Sequence, residues 1–112
     1  MEESILTSIK KLLGIGADYI NFDTDIILHI NSVFMILHQL GIGPVEGFRI
    51  ESADNVWSEF VDEYDNLDAV KTYVYLKVKM VFDPPLGGAV MESMKQMINE
   101  LEWRLNVQSE SL

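Results

Sequence analysis

Apolar residues recur at helical spacing from the beginning of the chain. Ile5, Leu6, Ile9, Leu12 and Leu13 share one side of a helix of about three turns, with Glu2 and Glu3 ahead of them and Lys10 and Lys11 behind, as the helix dipole favours. The pattern breaks at Leu13-Gly14-Ile15-Gly16. There Gly14 suits the left-handed position just past a helix end, and Ile15 suits the apolar contact that follows it. The same four letters return at Leu40-Gly41-Ile42-Gly43 and are read as a second helix stop. Neither GxG follows a strand or opens a phosphate-cradling loop, so no nucleotide fingerprint is inferred.

A second helix is expected over 23–40, with Asp23 as its N-cap and Asp25 in its first turn. Its main stripe is Ile26, Ile30, Val33, Phe34, Leu37 and Leu40, while Leu28 and Met35 lie seven apart on nearly the opposite side. A helix apolar on two sides is either central or shared with a neighbouring subunit. Gly43-Pro44 and Gly47 predict an irregular segment over 42–53, with Phe48-Arg49-Ile50 briefly extended. Asp54 or Asn55 then caps a short helix whose Trp57, Phe60, Val61 and Tyr64 close one end of the core.

Asp65-Asn66-Leu67-Asp68 resembles a capping box. It introduces a helix with the stripe Leu67, Val70, Val74, Val78 and Val81, widened by Tyr73, Leu76 and Met80. Asp83-Pro84-Pro85 ends that helix, because proline has no amide to donate and disfavours helical geometry in the residue before it. After Gly87-Gly88 a last helix carries Val90, Met91, Met94, Met97, Ile98, Leu101 and Leu105 within an arc of about 120°. Trp103 lies about 180° from the centre of that arc. It is either a contact residue or an aromatic folded under the first helix or the 42–53 segment. The expected fold is all-α: a small bundle of four main helices plus a short one, forming a single domain over 1–107 with a flexible tail over 108–112.

Composition narrows the function classes. The chain has 112 residues, a length suited to one core. It has no cysteine, which excludes disulfides and thiolate metal sites and favours an intracellular origin. The acidic opening Met1-Glu2-Glu3-Ser4 is unlike a signal peptide, and the most apolar window, 26–37, is too short and polar to span a bilayer. Eight Lys plus Arg against eighteen Asp plus Glu leave a net charge of −10, which opposes binding to phosphate backbones and anionic membranes. Residues 44–68 hold eight acids and a single base, Arg49.

No GxSxG, HExxH or P-loop is present, so no enzyme is expected. His29 and His38 are nine apart, about 180° from each other on one helix, and are read as solvated or hydrogen-bonded rather than as ligands of one metal. The acids Asp62, Glu63, Asp65 and Asp68 lack the glycine and terminal glutamate of a calcium loop. The three methionines of the last helix fall on its core stripe. No cofactor or metal is therefore expected.

Five stretches, in this order, carry a family resemblance: Ile5-Leu6-Thr7-Ser8-Ile9-Lys10-Lys11-Leu12-Leu13-Gly14, Phe22-Asp23-Thr24-Asp25-Ile26-Ile27, Val70-Lys71-Thr72-Tyr73-Val74-Tyr75-Leu76-Lys77-Val78, Phe82-Asp83-Pro84-Pro85, and Ile98-Asn99-Glu100-Leu101-Glu102-Trp103-Arg104-Leu105-Asn106-Val107. Together they resemble the small head-tail connector, or head-completion adaptor, proteins of tailed bacteriophages and prophages. The resemblance implies a helical subunit that assembles as a homo-oligomeric ring beneath the portal and meets the next head-completion or tail protein. DNA would pass through that ring without specific binding. It implies a virion protein of the head-tail interface, made in the bacterial host cytoplasm, with no active site and no membrane contact. Portal contact in that family commonly involves the C-terminal segment, here short. Candidate partner contacts are Leu28, Met35, Trp103 and Arg104, and the candidate acidic face toward the DNA channel is Glu59, Asp62, Glu63 and Asp65. The competing expectation is an acidic inhibitor or DNA mimic with salt-sensitive binding to a basic protein. A metal-dependent enzyme using the acidic stretch would instead melt at a higher temperature with metal, and no such rise is expected.

Overall fold

A computed structural model describes residues 4–60 and 67–110, with side chains through 107. Among the described residues four helices follow one another, α1 (Ile5–Leu12), α2 (Asp23–Gln39), α3 (Leu67–Phe82) and α4 (Gly88–Glu110), with one 3₁₀ turn over Trp57–Glu59 between α2 and α3. The described residues contain no strand, only an isolated bridge between Ser4 and Val56. The all-α expectation holds, and 42–53 is irregular throughout.

Both glycine stops form as the spacing predicts. Gly14 has φ +83° and Gly41 φ +87°, the left-handed region that a side chain disfavours. Past α1, Ile15 N–H donates to the Lys10 carbonyl at 2.8 Å and Gly14 N–H to that of Lys11 at 3.1 Å. Past α2, Ile42 N–H donates to the Leu37 carbonyl at 2.9 Å and Gly41 N–H to that of His38 at 3.0 Å, and the Ile42 side chain is buried. The first helix is shorter than expected because Ser4 is its N-cap, its Oγ accepting the Thr7 N–H at 3.2 Å.

Asp23 is not the cap of α2. Phe22 holds that position without a side-chain bond, and the Asp23 carboxylate reaches back to Lys10, Oδ1 to Nζ at 2.7 Å. That ammonium is the sole partner of the buried Asp23 oxygen among the described residues, so the contact is an ion pair. Lys10 is only 1 % exposed and also donates to the carbonyls of Ala17 at 3.2 Å and Tyr19 at 2.8 Å. A lysine expected to complement the dipole at a helix end is thus a buried tie between α1, the connecting segment and α2.

The core lies where α1, α2 and α3 meet, with α4 packed on α3. Ile26, Ile30, Val33, Phe34 and Leu37 fill it from α2, and Val70, Tyr73, Val74, Leu76 and Val78 from α3. Phe34 gathers the aromatic end: ring centroids of Phe60, Phe48 and Trp57 lie 4.5, 5.2 and 6.3 Å away. Val61 and Tyr64, expected to share that role, lie outside the described residues, as does the start of the 65–68 capping box. The irregular segment is held by side chains. Asn31 Nδ2 donates to the Ile50 carbonyl at 3.0 Å while its Oδ1 accepts the Ile50 N–H at 2.7 Å, and Trp57 Nε1 donates to Ser8 Oγ at 2.9 Å.

Two stripes are narrower than the periodicity suggests. Val81 is in register with Val74 yet is exposed, because it opens onto a groove between α3 and α4. Met94, Ile98 and Leu105 are the buried residues of α4, whereas Val90 and Met97 are exposed, since a helix packed on one neighbour covers a thin strip. At its far end α4 continues through Glu110, so 108–110 are helical backbone where a tail was expected. No glycine or proline follows Leu105 to end the helix.

Candidate functional site

Exposed apolar side chains occur on the outer faces of α2 and α4, besides those in the connecting segments such as Ile20, Val45 and Leu86. Leu28 and Met35 are 63 % and 60 % exposed and line one shallow groove of about 560 Å³. Its other walls include Ile27, Phe48 and Arg49. Two helical turns bring Leu28 and Met35 to the same side, and the bond from Asn31 to Ile50 fixes the 48–50 segment beside them. Periodicity placed Leu28 and Met35 on that face. Phe48 and Arg49 were beyond it, because they come from an irregular segment; the lone base in an acidic stretch was the signal available.

Trp103 is 65 % exposed on α4, which rules out the reading in which it folds under α1 or the 42–53 segment. Opposite it, Leu105 and Ile98 bury against the bundle. Arg104 pairs with Glu100 through a bond of 2.8 Å and lines a second shallow groove with Met97 and Asp68. The structure brings Leu28 and Met35 together and Trp103 and Arg104 together, and keeps the two pairs on separate helices. Arg104 shares its groove with Asp68, Ala69 and Thr72 of α3, whereas the Leu28–Met35 groove is walled by α2 and the 48–49 segment, so the two grooves have no residue in common.

Of the candidate acidic face, Glu59 alone is described; Asp62, Glu63 and Asp65 lie outside the described residues. Glu59 is exposed, and its Oε1 accepts the Val56 N–H at 2.7 Å, which caps the 3₁₀ turn. His29 and His38 line neither groove. Among the described residues no group of three or more His, Cys, Asp or Glu is placed to hold a metal, and no helix is long and apolar enough to cross a membrane.

A half-buried polar bridge joins α3 to α4. Tyr73 is fully buried and its hydroxyl donates to Glu102 Oε2 at 2.7 Å. Burial first, then the bond to Glu102 and its negative charge, push the phenol well above its ordinary value. The group therefore stays neutral and acts as a fixed donor. It orients α4 and so the face that carries Trp103.

Comparison with family models decides the assignment: the phage connector protein model matches residues 5–111, nearly the whole chain. The chain belongs to the phage connector family. Comparison with curated proteins and with solved structures gave no match. The connector family is structural rather than enzymatic, and membership makes this chain a phage structural component that works with other head and tail proteins.

Proposed function

We propose that this connector assembles as a ring beneath the phage portal and extends the DNA channel toward the tail. The observation that carries the reading is the family match across 5–111. A ring subunit needs two different surfaces that meet head to tail. It also needs surfaces for the proteins above and below it, and the Leu28–Met35 groove and the Trp103–Arg104 face, on different helices, are the candidates. The second of these is our choice for the portal, with the neighbouring subunit or the next head-completion protein on the first. The acids of 44–68, Glu59 among them, face the lumen in this reading, where negative charge repels the passing phosphates and keeps DNA from sticking. The protein would act in the virion at the head-tail interface after synthesis in the host cytoplasm. Residues 1–107 would act as a single adaptor domain.

Light scattering of the connector mixed with its purified portal tests this directly. The expected result is a complex larger than the portal; neither complex nor ring would end the proposal. Placement of Glu59 on the outer rim of an assembled ring would refute the lumen assignment alone.

A further inference from the structure

We propose that the tight turn at 44–47 of one connector subunit docks into the α3–α4 groove of the next. The inference rests on the ring reading and names the contact that would build the ring.

The turn is closed by the Gly47 N–H donating to the Pro44 carbonyl at 3.0 Å. Its tip presents Val45, 91 % exposed, and the exposed carboxylate of Glu46. An aliphatic side chain held at the tip of a hydrogen-bonded turn has no cover in its own subunit. The α3–α4 groove has the complementary chemistry. It encloses about 310 Å³ between Lys77, Met80, Val81, Lys95, Ile98 and Glu102, with an apolar floor and two ammonium groups around it. Lys95 pairs with no carboxylate among the described residues, and Lys77 lies 3.9 Å from Glu102, a loose pairing. An apolar side chain followed by a carboxylate is what such a groove accepts: Val45 on Met80, Val81 and Ile98, with Glu46 beside Lys95.

The distribution of charge selects a second copy as the occupant. Residues 1–66 carry three bases and twelve acids, a net −9, whereas residues 67–112 carry five bases and six acids, a net −1. Two subunits meeting through their acidic halves repel strongly. Setting the acidic half of one on the near-neutral, lysine-bearing α3–α4 half of the next removes most of that repulsion and fixes the direction of the contact. Turn and groove are different surfaces, so the contact is heterologous and each subunit has one of each free for another neighbour, as a ring requires.

The chain has no cysteine, so introduced thiols report this contact alone. Val45→Cys combined with Val81→Cys, oxidised during assembly on the purified portal, is expected to give a ladder of covalent oligomers, while each single variant gives dimers at most. Both positions are exposed, and an unchanged thermal melt confirms folding. In parallel, Glu46→Lys and Lys95→Glu each weaken subunit association about fivefold, and the double variant restores it. Rings by electron microscopy without a ladder overturn the turn-in-groove contact and leave the ring reading intact. A ladder without rings supports the contact and ends the ring reading. Neither rings nor ladder ends both.

Discussion

Lys10 and Asp23 show what a single ion pair does in this fold. Lys10 is enclosed and its donors are spent on Asp23 and two carbonyls, so removing the carboxylate leaves a buried charge short of its partner. Asp23→Ala is expected to destabilise the protein by about 3 kcal/mol in urea unfolding. The sequence did hold a clue. Lys10 lies about 40° beyond Leu6, at the edge of the apolar stripe of α1 and one turn from both Leu6 and Leu13, rather than on the opposite, solvated side. Tyr73 makes a second residue-level prediction. Its folded phenol titrates above the ordinary value of 10.0 because it is buried against Glu102, so the neutral form is favoured by folding. Its contribution is present below that value and is lost as pH rises through it toward the folded value. Stability should therefore fall above about pH 10 in the parent chain and less in Tyr73→Phe, which at neutral pH loses about 1 kcal/mol with the Glu102 bond.

At the scale of elements, chain stops were legible and long-range ties were not. Leu13-Gly14-Ile15 and Asp83-Pro84 carry their meaning locally, in a positive φ and a missing amide, and both helices end there. Gly14→Ala places a side chain in open space at φ +83°, so its cost is backbone strain alone, about 1 kcal/mol by thermal melting. The Asn31 clasp on Ile50 and the Trp57–Ser8 bond join residues 19 and 49 apart in sequence, and no periodicity points to them. Val81, Val90 and Met97 were assigned to the core because a helical wheel assumes cover on a broad face. The C-terminal end of α3 and the flanks of the α4 stripe lack that cover, since α4 leans on α3 alone among its well-packed neighbours. The same shortage of cover leaves the grooves open.

For the whole molecule, the division between core and assembly surface sets the expected behaviour of variants. Trp103→Ala, and Leu28→Ser with Met35→Ser, alter exposed side chains, so monomer stability should stay within about 0.5 kcal/mol of the parent. Trp103→Ala should nevertheless weaken portal binding about tenfold in a titration, as loss of a large aromatic at an interface does. The candidate contacts on α2 and α4 were readable as apolar residues on the wrong side of a helix. The portal proposed as their partner comes only from family resemblance, because nothing in spacing or charge names a portal. The central claim is best tested by electron microscopy of the connector with its purified portal. A closed ring of connector subunits coaxial with the portal is the predicted result; portal particles bare of added density at saturating connector would contradict it.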